Sequence, residues 1–253
     1  MLGEVEMGTS QSSKGSPSNV PIAPSWVAPN SPIAESGRFG PARRNIASFM
    51  GDGQSSSMRK GVGQYIKKGY GGSKTATSRM AGTVQKASTF FDALNLTKQT
   101  GAVIDPLLLA GKSADEIMDA IVEVVAPIDG TQDTESSRDS VKNALCDLLE
   151  KFPNADLANL DDTQRIYALE KFVADDVFRR IYLDLGQIIQ SKAPNITIGL
   201  SRLKEIKDYI KETVAASFRK NTQNGIPLIS NQIKSIVSTA IQETFSVFED
   251  YAE

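Results

Sequence analysis

Asp161-Asp162-Thr163-Gln164-Arg165-Ile166-Tyr167-Ala168-Leu169-Glu170-Lys171-Phe172-Val173-Ala174-Asp175-Asp176-Val177-Phe178-Arg179-Arg180-Ile181-Tyr182-Leu183-Asp184-Leu185 is the stretch that decides the fold class. Ile166, Leu169, Val173, Val177, Ile181 and Leu185 recur every three or four residues, which is the period of one face of an α-helix and not of a strand. Acids favour a helix N-terminus, where the unpaired amides point, so Asp161 and Asp162 mark the start. The pattern runs to about Lys192, and Pro194-Asn195 ends it.

The same period holds on both sides. Downstream, helices are expected over about Ile198 to Arg219 and Ile229 to Tyr251, separated by the turn signal Asn224-Gly225-Ile226-Pro227. Upstream, Val141, Leu145, Leu148 and Leu149 predict a helix from about Glu135 to Phe152, stopped before Pro153. Ser113-x-x-Glu116 forms a capping box that opens a helix from Ala114 to Ala126, with Ile117, Ile121, Val124 and Val125 as its apolar stripe. No stretch alternates with period two, so the expected fold is all-α: a bundle of five or six helices.

Composition divides the chain near position 87. Residues 1–86 hold 11 Lys+Arg against 4 Asp+Glu, a net of +7, whereas residues 87–253 hold 17 against 26, a net of −9. The first part also holds 13 of the 19 Gly and 6 of the 11 Pro. Such a segment is short of apolar surface with which to offset backbone ordering entropy. The expectation is therefore a long, largely irregular Gly/Ser/Pro-rich N-terminal arm over residues 1–57, disordered or extended. A basic Gly/Tyr-containing linker or short helix over 58–86 and a helical domain over 87–253 complete the division.

The residue inventory excludes several chemistries. The 253 residues include no histidine and one cysteine, so the chain forms no Ser-His-Asp or Cys-His relay, no His-ligated metal site and no internal disulfide. No apolar run approaches the roughly 20 residues of a membrane span, and Met1 to Ser13 is polar with Glu4 and Glu6 where a signal peptide is basic and apolar. The expected setting is the reducing cytoplasm.

Candidate catalytic groups have simpler readings. Gly111-Lys112-Ser113 resembles the end of a phosphate-binding loop, but Pro106 stands where the motif needs its first glycine, and helix capping accounts for the residues. The pairs Asp115/Asp119, Asp161/Asp162 and Asp175/Asp176 lack any sign of convergence in a pocket, and Arg179-Arg180 supplies i,i+4 counterions for the last. Cys146 falls on the apolar side of its helix and reads as buried packing. No catalytic residue, metal ligand or cofactor site is assigned, and the expected role is non-enzymatic.

Three stretches of the arm carry the functional candidates. Gly8-Thr9-Ser10-Gln11-Ser12-Ser13-Lys14-Gly15 is Ser/Gly-rich, as flexible linkers are. Val20-Pro21-Ile22-Ala23-Pro24-Ser25-Trp26-Val27-Ala28-Pro29 favours an extended, polyproline-like strip around the chain's one tryptophan, which either anchors a partner or folds back on the helical core. Arg59-Lys60-Gly61-Val62-Gly63-Gln64-Tyr65-Ile66-Lys67-Lys68-Gly69-Tyr70 admits two readings. In one, Arg59, Lys60, Lys67 and Lys68 grip a nucleic-acid backbone while Tyr65 and Tyr70 stack on bases. In the other, which the spacing favours, Met58 to Tyr70 is an amphipathic helix with Val62, Tyr65, Ile66 and Tyr70 on one face, clamping a protein partner.

Met7-Gly8 is a second possible start. Initiation there, followed by methionine removal, exposes a Gly8 α-amine with a pKa of roughly 7.7–8.0, hence a nucleophilic fraction at neutral pH. Gly8-x-x-x-Ser12 also fits the loose myristoylation pattern, though one acyl chain anchors only marginally.

Several of these pieces, in this order, resemble one family. Gly8-Thr9-Ser10-x-Ser12, Pro24-Ser25-Trp26, Gly61-x-Gly63-x-Tyr65-x-x-x-Gly69-Tyr70-Gly71-Gly72 and Phe172-Val173-Ala174-x-x-Val177-Phe178-Arg179-x-x-x-x-Asp184-Leu185-Gly186 together look like the QatB family of the bacterial Qat anti-phage system. The resemblance implies initiation at Met7 and a non-catalytic component encoded beside an ATPase, a QueC-like enzyme and a TatD-like nuclease. QueC-type enzymes activate a carboxy-deazaguanine with ATP and pass the acyl group to an amine. The implied role is a scaffold or adaptor whose Gly8 accepts that group, with Thr9, Ser10, Gln11 and Ser12 threaded into the QueC-like enzyme. On the same reading Trp26, Tyr65 and Tyr70 dock partners and the helical part binds the ATPase. The alternative role is a nucleic-acid-binding accessory subunit working through residues 59–74.

Overall fold

The computed structural model describes residues 18–95, 104–105, 109–222 and 230–253. At its centre is the long helix read first from the sequence. It spans Asp162–Ser191 and is here α7, the seventh of nine α-helices among the described residues. The Asp161 carboxylate accepts from the Gln164 amide at 2.8 Å, and the Gln164 side chain accepts from the Asp161 amide at 3.0 Å. Two backbone donors at the helix start are thereby satisfied reciprocally. Leu169, Val173, Val177, Ile181 and Leu185 are buried as the period requires, while Ile166 packs at the margin.

Helices α6 (Gln132–Lys151) and α8 (Ile196–Thr222) pack along α7. Helix α5 (Ala114–Val125) lies on α6, and α9 (Ser230–Asp250) lies on α8. The Ser113–Glu116 capping box is present, and the Lys112 ammonium reaches Glu116 at 2.7 Å, so these residues serve the helix start. Among the described residues the only β pairing is an isolated bridge between Pro21 and Ile33. The fold is all-α. The expected turn at Asn224 to Pro227 lies outside the described residues.

The core starts much earlier in the chain than composition suggests. Four helices and a π-helical turn precede α5: α1 (Gly40–Asp52), α2 (Ser55–Gln64), the π turn (Tyr65–Gly69), α3 (Ser73–Arg79) and α4 (Ala81–Ala93). The expectation of a disordered or extended arm to residue 57 therefore fails for α1, and 58–86 is a run of packed helices and not a linker. The boundary at 87 falls inside α4. In α1, Pro41 sits in the first turn, where its missing N–H removes no helical bond, and Ala42, Ile46, Phe49 and Met50 form a buried face at helical spacing. Helices α2, α3 and α4 all pack on α9, and α1 and α4 also pack on α7, so both halves of the chain share one core.

One smaller expectation is corrected. Cys146 is exposed, because the buried face of α6 passes through Val141, Ala144, Leu145 and Leu148 and leaves position 146 on the outer side.

Candidate functional site

Polar groups are buried along α7 to an unusual degree: Glu170, Asp175, Asp176, Arg180 and Asp184 are all inside. Buried charges demand partners, and each acid has them. Asp175 accepts from Arg179 Nε at 2.6 Å, Lys211 Nζ at 3.0 Å and Asn143 at 3.2 Å. Burial alone would raise the Asp175 pKa, yet the Lys211 charge and the Arg179 hydrogen bond carry it below the usual range. Glu170 is met by Arg219 at 2.9 Å, and its burial wins, moving its pKa upward.

The largest cluster joins α3 and α4 to α6 and α7. Thr83 donates to Asp176 at 2.6 Å, and Arg180 Nε donates to Thr83 at 3.0 Å and to Asp176 at 3.2 Å. Arg180 and Arg79 both reach Asp133 Oδ2 at 2.8 Å. Lys86 donates to the hydroxyls of Thr134 at 3.2 Å and Ser137 at 3.1 Å. Burial opposes ionisation of Asp133, but the Arg180 and Arg79 guanidiniums outweigh it and hold the carboxyl at about 2. Burial and the Arg180 charge lower the Lys86 ammonium. Asp133 Oδ2 and Asp176 Oδ2 take these contacts while Asp133 Oδ1 and Asp176 Oδ1 are buried without a hydrogen-bond partner, and the cluster acts as a brace between the early helices and the central one.

The second cluster is built by the π turn. In a regular α-helix residues five apart diverge by about 140°, since each residue turns the chain by about 100°; the wider π turn brings Tyr65 and Tyr70 to the same side. Both hydroxyls donate to Asp184 Oδ2 at 2.8 Å. Phe39 stacks on Tyr65 with ring centroids 5.1 Å apart and meets Tyr70 edge-on at 5.5 Å. Gly69 makes this possible, because a methyl group there would lie 2.4 Å from Phe39 Cε1. Burial, reinforced by the Asp184 charge, raises both tyrosine pKa values, so the two phenols stay protonated donors.

These placements sort the sequence candidates. Tyr65 and Tyr70 are 0% and 2% exposed, so neither docks a partner nor stacks on a base; both clamp the chain's own core. The nucleic-acid reading loses its stacking platform with them. Of the four cations, Arg59 lies over the rings of Tyr209 and Tyr251, at 5.7 and 5.5 Å, and Lys67 pairs with Glu253 at 3.3 Å. Lys60 and Lys68 are exposed. Gly61 and Gly63 lie in α2, within the helix that the spacing favours, and a methyl group at Gly63 would lie 2.6 Å from the Phe248 carbonyl oxygen. The adjoining Gln64 amide donates to the Ala252 carbonyl.

Trp26 takes the opposite course. The strip around it is not extended but doubles back: Asn19 N–H donates to Ala34 O at 2.9 Å, Ala34 N–H to Val20 O at 2.8 Å and Ile22 N–H to Pro32 O at 2.9 Å. Ala23 and Ala34 are buried at the base, whereas Trp26 is 68% exposed at the tip and does not fold back on the helices. Gly8, Thr9, Ser10, Gln11 and Ser12 lie outside the described residues.

Among the described residues no three or more acidic or thiol side chains gather as a metal-ligand group, and no helix is long and apolar enough to cross a membrane. The Tyr65–Tyr70–Asp184 cluster is what sequence reasoning missed. Its only local signal is Gly69, the one glycine between the two tyrosines.

No curated protein and no solved structure matches the chain. Among known families, residues 71–248 match the one described as Qat anti-phage system associated protein QatB, a stretch that holds Arg79, Asp133, Asp176, Arg180 and Asp184 and begins just after the π turn. The match spans more than half of the chain, which therefore belongs to the QatB family.

Proposed function

We propose that this component of the Qat anti-phage system is a non-catalytic scaffold and protein substrate, whose Gly8, exposed by initiation at Met7, is modified by a QueC-like partner with a deazaguanine group. The partner's ATP-dependent step converts the carboxyl of a carboxy-deazaguanine into an acyl adenylate with release of pyrophosphate. The neutral Gly8 amine attacks the acyl carbon, the amide C–N bond forms, AMP departs and the nitrogen loses one proton. A terminal amine with a pKa of roughly 7.7–8.0 has the neutral fraction this needs.

The observation that carries the non-catalytic part is how the ionisable residues of α7 are used. Asp175, Asp176 and Asp184 are each held by two or more donors from other side chains and are buried away from any substrate in solution. Small residues from Gly8 to Ser13 suit a narrow enzyme cleft, since Gly and Ser let backbone approach closely. The helical part is then free to bind the ATPase of the same operon, and the TatD-like nuclease would act downstream.

Intact-mass analysis of the chain purified with its operon partners tests the reading. The expected product begins at Gly8 and carries one deazaguanine acyl group; an unmodified N-terminus in a complex that protects cells from phage overturns it. Gly8→Pro, which turns the acceptor into a hindered secondary amine, is expected to abolish protection.

A further inference from the structure

We infer that the hairpin of residues 19–34 is a docking element for the enzyme that modifies the N-terminal tail, with Trp26 as the anchor that enters an apolar cleft of that enzyme. The inference rests on the reading of the tail as a substrate and names the surface by which the substrate is chosen.

The hairpin is built to present its tip. Three backbone hydrogen bonds close the base, Ala23 N–H donates to Ser31 Oγ at 2.8 Å across it, and Val27 N–H and Ala28 N–H both donate to Pro24 O at 3.0 Å to tighten the turn. Ile22 packs against the helical core, and Ala23 and Ala34 are buried, so the base is rooted. The tip faces the other way: Trp26 is 68% exposed and its neighbour Val27 36%. Four prolines, at 21, 24, 29 and 32, limit the conformations the loop can lose on binding. A large ring held outward on a pre-ordered loop gains nothing for the isolated chain, while an indole entering a pocket is a common anchor of protein interfaces.

Charge and distance select the occupant. From Gly15 to Ala34 the chain has no charged residue, so the complementary surface is apolar and uncharged. Asn19 follows Gly8 by eleven residues, which span at most about 40 Å when extended. A loop bound at that distance from an active site holds the tail at high effective concentration beside it. A contact with any other protein would gain nothing from so short a tether. Self-association is disfavoured by area: a stable interface buries about 800 Å² on each side, and a tryptophan supplies roughly 150–250 Å².

The chain's single tryptophan permits a direct test in the full-length protein. Labelled with 5-fluorotryptophan, it gives one fluorine resonance, expected to shift on addition of the QueC-like enzyme and to stay in place on addition of the ATPase or on concentrating the chain alone. A resonance unmoved by the QueC-like enzyme, or one that moves only with the ATPase or with self-concentration, overturns the inference. Trp26→Ala is expected to raise the KM for tail acylation about tenfold with kcat unchanged and the circular-dichroism melt unmoved; an unchanged KM overturns it. A shifted resonance with Gly8 left unmodified keeps the docking and refutes the acyl transfer, whereas a modified Gly8 with an unmoved resonance does the reverse.

Discussion

The Trp26 hairpin and the Gly61–Ser73 segment both set aromatics among residues that break regular structure, prolines in the first and glycines in the second, yet they end on opposite sides of the protein surface. Tyr65 and Tyr70 are enclosed by Phe39 and Asp184, while Trp26 stands in solvent. Two physical differences separate them. The tyrosines belong to a helical register with Val62 and Ile66, so that a single face collects enough apolar area to be buried. A distant carboxylate waits for their hydroxyls, which removes the penalty of enclosing a phenol. The hairpin has neither, since its prolines prevent a helical stripe. An aromatic in a Gly/Pro-rich arm thus serves the chain's own core when it has both period and partner, and faces outward when it has neither.

The strongest way to break this contrast is to remove the buried acceptor. Asp184→Ala strands two enclosed hydroxyls and is expected to cost about 3 kcal/mol in denaturant unfolding, because each unsatisfied buried group costs roughly 1–3 kcal/mol. A loss under 1 kcal/mol would mean that the tyrosines are held by packing alone. Next comes Gly63→Ala, whose methyl meets the Phe248 carbonyl oxygen of α9 at 2.6 Å and the Ala252 nitrogen just beyond that helix at 2.7 Å. Backbone yields poorly, so overpacking is expected to cost about 2 kcal/mol, read as a lower unfolding midpoint in urea.

Acid titration sharpens the contrast for the helices that follow the tyrosines. Asp133 is held at about 2, below its unfolded value of 3.8. Its stabilisation is therefore complete above about pH 4 and is lost as the pH falls toward 2, a contribution of about 2 kcal/mol. Asp133→Asn should flatten the pH dependence of unfolding in that window. The smallest effect belongs to the outward aromatic: Trp26→Ala should change stability by less than about 0.5 kcal/mol, as exposed substitutions do.

Much of the fold is legible from residues because the rules involved are local. Ser113 with Glu116, and Asp161 with its helix, announce α5 and α7 through caps within four positions, and the stripes of α5 to α9 follow from period alone. Helix α1 was equally periodic, with Ala42, Ile46, Phe49 and Met50 on one face, but its signal is hidden when composition is averaged over an arm rich in Gly and Pro. The Tyr65–Tyr70–Asp184 cluster is of another kind. Its members lie 119 and 114 residues apart along the chain, and no spacing rule reaches that far. Cys146 shows the limit on one helix, where a shift of one position moves a side chain by about 100° and from the inner to the outer face.

An exposed indole has an optical consequence. With one Trp in water and the large aromatics Tyr65, Phe49, Phe90, Phe172, Phe218, Phe245 and Phe248 fully enclosed, tryptophan emission from the folded chain should already resemble that of the unfolded one. A fluorimeter exciting the indole would then be nearly blind to global melting and responsive to whatever covers residue 26. Folding of this protein is better followed through its helices, which leaves its one tryptophan to report on company.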